Sequence, residues 1–171
     1  MYKILFIGIG KMGFPMAGFL SEKYKVSVYN RSKEKISIWK KKYGGNAVEN
    51  LNQLDEKFDF IISCIGNDDD LREITSNDTG CFNIIRKNTI FIDHSTVSPK
   101  IVQELELKFR EKEAFFLDAP ISGGQLGAEE GQLSIMVGGD KNAFDKSESI
   151  FELYGKKRKY MGSSGSGQLT K

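Results

Sequence analysis

Residues 2–20 read YKILFIGIGKMGFPMAGFL. A short β-rich apolar run breaks into glycines at 8, 10 and 13, and a helical candidate follows over 11–22. The G-x-G-x-x-G spacing has a physical use in that setting. The first glycine permits a tight turn, the second lets the backbone approach a pyrophosphate, and the third lets helix and strand pack closely. The helix N-terminus then attracts the anion. Pro15 falls within the first helical turn, where a missing N–H costs little. The motif alone also fits a glycine corner between strand and helix. Its strand–turn–helix context points instead to a dinucleotide-binding turn made of Gly8, Ile9, Gly10, Lys11, Met12 and Gly13.

Outward from this turn, short apolar runs alternate with amphipathic stretches. The runs are 2–8, 25–30, 58–65, 88–93 and 114–118, with a weaker one at 44–48. Helical candidates lie at 33–43, 68–76 and 99–113. Such alternation predicts an α/β fold, a Rossmann-type doubly wound and mostly parallel sheet. Ser98-Pro99 reads as an N-cap followed by proline at the first helical position. Asp68, Asp69 and Asp70 suit a helix N-terminus. Beyond Asp118 a loop and short helix precede a strand at 133–139, a helix at 140–153 and a short strand at 156–162. The Gly/Ser-rich SSGSGQLTK, 163–171, reads as a flexible linker.

The 171 residues suit one domain and the beginning of another. A net charge of +2, with 28% charged residues, argues against a nucleic-acid partner. No apolar run approaches the roughly 20 residues of a membrane span, and the N-terminus lacks signal-peptide character. Cys64 and Cys81 are expected as buried reduced thiols in a cytoplasmic protein. His94, the sole histidine, excludes a multi-histidine metal site and is expected to be structural; no metal is expected.

The second strand ends in Asn30, Arg31, Ser32 and, one turn on, Lys35. A site selecting unphosphorylated dinucleotide usually places an acid here for the ribose hydroxyls. A cation beside a hydroxyl suits a 2′-phosphate, so NADP is the preferred cofactor and NAD a possible one. A solvated turn is the bland alternative. Further on, DAPISGG (118–124) sets Ser122, Gly123 and Gly124 just after a strand end, where successive N–H groups and a hydroxyl can hold a carboxylate.

Together GIGKMGFPMA (8–17), DHSTVSP (93–99), DAPISGG with GAEEGQLSIMVGG (118–139) and GSGQLTK (165–171) resemble the β-hydroxyacid dehydrogenase family. That family includes 3-hydroxyisobutyrate dehydrogenase and the glyoxylate/succinic semialdehyde reductases, and is related to 6-phosphogluconate dehydrogenase. The resemblance runs over essentially the whole chain. It implies a cofactor site on the Gly8–Gly13 turn, with Arg31, Ser32 and Lys35 at the adenosine end and Cys64, Ile65, Gly66 and Thr96 along the nicotinamide side. It implies that Ser122–Gly124 bind the carboxylate of a small-molecule substrate and that Lys171 is the general acid/base. Read without the family, Lys171 is a solvated lysine. Family members continue into an all-helical domain that carries oligomer contacts. The expectation is therefore an NAD(P)-binding domain over 1–162 and a truncated linker and interdomain helix start over 163–171. Such a chain binds cofactor with little turnover, and its full-length parent is a homo-oligomer. A non-catalytic dinucleotide module and a 6-phosphogluconate dehydrogenase-type domain are the alternatives.

Overall fold

The computed structural model describes residues Met1–Lys171. Nine strands form one sheet: β1 (Lys3–Ile7), β2 (Lys25–Tyr29), β3 (Asn46–Ala47), β4 (Phe60–Ser63), β5 (Ile90–Asp93), β6 (Phe115–Asp118), β7 (Ile121–Ser122), β8 (Leu133–Gly138) and β9 (Gly155–Gly162). Seven helices connect or flank them: α1 (Gly13–Ser21), α2 (Lys33–Tyr43), α3 (Asp68–Ile74), α4 (Pro99–Arg110), α5 (Gly124–Glu129), α6 (Lys141–Phe151) and α7 (Ser166–Thr170).

The order β3-β2-β1-β4-β5-β6 is parallel throughout. The chain runs outward from β1 to β3, then returns to place β4 on the other side of β1. The strand order thus reverses between β1 and β4, and a crevice opens at their carboxyl ends.

Both faces of the sheet are covered, which explains its near-continuous apolar strands. In β1, Ile4 and Phe6 join one core with Met16, Leu20, Trp39 and Phe151, while Leu5 and Ile7 join another with Leu71, Val102, Leu105 and Phe109. The first core lies under α1, α2, α5 and α6, the second under α3 and α4. The capping expectations hold. Ser98 Oγ accepts from the Ile101 N–H, and Asn67 caps α3 through the Asp70 N–H. Asp68 reaches across to accept from the Ser98 N–H and hydroxyl, tying the starts of α3 and α4 together.

Two features beyond Asp118 differ from expectation. Ile121–Ser122, read as loop, form β7, whose antiparallel register with β8 continues that of Asp118 with Gly138. Pro120 interrupts the strand because it offers no N–H, yet its carbonyl still accepts from Met136. The strand expected at 156–162 forms as the eight-residue edge strand β9, whose lysines discourage edge-to-edge pairing. The Gly/Ser-rich tail is docked rather than loose. Residues 166–170 form α7, and Gly167 sits so tightly that a Cβ there would lie 2.5 Å from the Met136 carbonyl.

Candidate functional site

The three glycines of the first turn differ in what surrounds them. Gly8 has φ +95°, and a Cβ on it would lie 2.3 Å from the Cys64 carbonyl. A Cβ on Gly13 would lie 1.9 Å from the Gly8 carbonyl. Protein packing therefore demands both. Gly10 has nothing within 4 Å of its ideal Cβ and no positive φ. Its neighbours Lys11 and Met12 precede α1, and the N–H groups of Gly10, Lys11 and Met12 donate to no protein acceptor. Open space before free N–H groups at a helix N-terminus is a cradle for an anionic group. The Ile9 N–H is not free: it donates to Asn30 Oδ1 at 3.1 Å, while Asn30 Nδ2 donates to the Ser32 carbonyl at 3.3 Å. Asn30 thus braces the glycine turn against the end of β2.

A cleft of about 310 Å³ lies beside this turn, between the ends of β1, β2 and β4. Gly8, Gly10, Tyr29, Asn30, Arg31, Cys64, Ile65 and Gly66 line it, together with Asp70 and Ile74 of α3. Ser32 starts α2 with a hydroxyl free of any cap bond, and Lys35 is exposed one turn later. Arg31 spans the cleft mouth, donating to Asp70 at 2.8 Å and Glu73 at 2.5 Å. These partners raise its pKa further, the Asp70 hydrogen bond most. Lys35 does not line this cleft. It faces a wider groove with Lys11, Lys42 and Gln125 on the far side of Gly10.

The rest of the site lies along the same sheet edge. The Cys64 N–H donates to the Ile7 carbonyl, and the Ile65 N–H to Ser95 Oγ at 2.9 Å. Burial pushes the Cys64 thiol up to about 12, so it stays protonated. Thr96 is exposed on the next loop. Gln168 stitches that loop to α7: its Nε2 donates to the Ser95 carbonyl at 2.8 Å and its Oε1 accepts from the Val97 N–H at 3.3 Å. Asp118, at the end of β6, accepts from the Gly165 and Gln168 N–H groups at 2.9 and 3.0 Å, and so anchors the start of α7. At the far end of α7, Lys171 Nζ donates to the Ile121 carbonyl at 2.7 Å. Lys171 is thereby held against β7, beside the exposed Ser122, Gly123 and Gly124. Gly123 and Gly124 have φ +134° and +63°, so only glycine turns here without strain, and no protein atom lies within 4 Å of a Cβ on Gly124.

Sequence reasoning missed Asp70, Ser95, Asp118 and Gln168. Asp118 opens DAPISGG and Gln168 lies in GSGQLTK, but nothing in the sequence shows that one anchors the helix of the other.

His94 is structural. Its Nδ1 lies 2.6 Å from the Ala119 carbonyl, which can only accept, so Nδ1 carries the proton and Nε2 accepts from the Tyr154 hydroxyl at 2.7 Å. Burial pulls its pKa down to about 4. Next to it, burial pushes Asp93 up to about 6, against hydrogen bonds from Ser95 and Ser63, and one carboxylate oxygen has no partner. The signs oppose. Neutral His94 stabilises above its unfolded value of 6.5, and that stability fades as pH falls toward 4. Asp93 binds its proton more readily folded, so stability grows as pH falls from about 6 to 3.8. Asp93→Asn removes only the second effect. Its stability relative to the parent will therefore fall by about 2 kcal/mol between pH 7 and pH 4, read by urea unfolding. A difference independent of pH refutes this.

A family profile described as the NAD binding domain of 6-phosphogluconate dehydrogenase matches residues 3–162. An uncharacterized oxidoreductase of Shewanella frigidimarina (strain NCIMB 400) is 40% identical over 172 residues, 100% of this chain and 59% of that protein. The 2-hydroxy-3-oxopropionate reductase of Escherichia coli (strain K12) is 34% identical over 173 residues, 99% of this chain and 58% of the enzyme. The structure of Mycobacterium tuberculosis 3-hydroxyisobutyrate dehydrogenase with L-serine superposes with a TM-score of 0.88 at 27% identity, covering 99% of this chain and 57% of the other. The chain thus spans less than two thirds of the length of each of these proteins. No helix of this chain is long and apolar enough to cross a membrane.

Proposed function

The chain belongs to the family of NAD binding domains described for 6-phosphogluconate dehydrogenase, and from that premise we propose that it serves an oxidoreductase moving a hydride between NADP(H) and a small β-hydroxyacid or its semialdehyde. The observation that carries the cofactor half is Gly10, a glycine that no protein contact requires, set before free N–H groups. In this reading the Gly8–Gly13 turn holds the pyrophosphate, Arg31 and Ser32 hold the adenosine end, and Cys64, Ile65, Gly66 and Thr96 flank the nicotinamide. When bound, the cofactor supplies or accepts the hydride.

The protein's share is orientation, carboxylate capture and a proton. Ser122 with the Gly123–Gly124 turn offers donors to a carboxylate at the end of β7. Lys171, already directed at the neighbouring Ile121 carbonyl, gives a proton to the substrate oxygen in reduction and takes it back in oxidation. The names of two relatives support the substrate class. 2-Hydroxy-3-oxopropionate is a carboxylate with an aldehyde on its β-carbon, and L-serine, present with the dehydrogenase, is a β-hydroxy carboxylate. The enzyme is expected in the cytoplasm, as a homo-oligomer when full-length.

The experiment is a fluorescence titration with NADPH and NADH. Arg31→Asp will weaken NADPH binding about 10- to 100-fold, the worth of a charge-assisted phosphate contact, and NADH binding much less. Equal losses for both refute the NADP preference.

A further inference from the structure

The sequence shows no acid at the end of β2, but the fold delivers two from elsewhere. Asp70 and Glu73 lie on α3, about forty residues beyond Arg31. The path through the sheet brings the N-terminal half of α3 to the far wall of the same cleft. Asp70 is placed firmly there. Asn67 Oδ1 accepts from its N–H at 3.0 Å, and a Cβ on Gly66 would come within 2.9 Å of its Oδ2. Its carboxylate therefore sits over the Cys64–Gly66 loop, facing β2 across the opening, with Ile74 one turn behind it on the cleft wall. Arg31 bridges the gap, and no other protein group shares its guanidinium.

Resting on the reading of Arg31 as the phosphate-binding cation, we propose that Asp70 and Glu73 are specificity-determining residues that restrain the preference for NADP(H). The two carboxylates hold the guanidinium that a 2′-phosphate would take, and they repel that phosphate when it arrives. An exposed ion pair of this kind is worth little in itself, and the Arg31 side chain is 62% exposed, so ligand binding breaks it at small cost. Repulsion between two carboxylates and a phosphate carrying nearly two negative charges is the larger effect. An unphosphorylated ribose meets no such repulsion. The site therefore works as a balance: one arginine attracts the 2′-phosphate, and two acids from another helix oppose it.

The test uses ligands that differ only in that group. Calorimetric titrations with 2′,5′-ADP and with 5′-AMP are made on the 171-residue chain, Arg31→Ala, Glu73→Gln and the double variant Asp70→Asn/Glu73→Gln. Arg31→Ala will weaken 2′,5′-ADP selectively. The double variant will tighten 2′,5′-ADP about tenfold and 5′-AMP less than about twofold, with Glu73→Gln intermediate. Glu73 is exposed, so its single variant tests the idea without touching the packing of α3. A preference that shifts with Arg31→Ala but not with either acid variant overturns this inference alone. A preference unmoved by Arg31→Ala overturns the reading of Arg31 and this inference with it.

Discussion

Gly10→Ala will fold as the parent does and lose dinucleotide binding, while Gly13→Ala will lose stability first. The two positions lie three residues apart in one motif, yet the structure assigns them opposite reasons. A methyl on Gly13 would meet the Gly8 carbonyl at 1.9 Å, and neither partner is the end of a flexible side chain. Relief requires α1 to lift from the β1 turn, which costs at least about 3 kcal/mol. A methyl on Gly10 meets nothing within 4 Å and forces no positive φ. It fills the space that a pyrophosphate needs in order to reach the free N–H groups, so affinity for NADPH falls more than about tenfold. Thermal melts and fluorescence titrations on the same preparations separate the two effects. Gly10→Ala binding NADPH as tightly as the parent would remove Gly10 from the cofactor site.

Asp118→Ala will release α7 while leaving cofactor binding intact. The carboxylate accepts two N–H groups at the start of that helix, from Gly165 and Gln168. α7 has five residues, too few to persist without such support. Removing the acceptor strands buried donors and costs about 3 kcal/mol locally. Hydrogen exchange of the 165–171 amides will then accelerate about 100-fold. Under the proposed function, turnover falls as well, because Lys171 no longer meets β7. NADPH binding changes less than about twofold, because the glycine turn and the Arg31 cleft lie at β1 and β2, beyond β4 and β5 from Asp118. Unchanged exchange would show that Gly167 packing and Gln168 hold α7 by themselves. Asp118→Asn falls between, since its amide turns a donor toward donors.

The parallel part of the sheet was legible because each of its strands is buried on both faces and each helix between them on one. That period survives in YKILFIG and FDFIISCI whatever lies far along the chain. The glycine turn was legible for a similar reason: its demands fall on neighbours in sequence. Beyond Asp118 legibility dropped. β7 is two residues long beside a proline, and only pairing with β8 makes it a strand. SSGSGQLTK has the composition of a linker, and only the carboxylate of Asp118 and the small size of Gly167 turn it into a docked helix.

The same division runs through the site. The doubly wound fold, the glycine cradle and the residue types at each strand end follow from local spacing and periodicity, and so can be read along the chain. Which of those groups meet depends on the folded arrangement. It set Arg31 against Asp70 and Glu73, His94 against Tyr154, and Lys171 beside Ser122. Each pairing joins residues that are distant in the chain. Their contact depends on strand order and register, which local spacing does not encode.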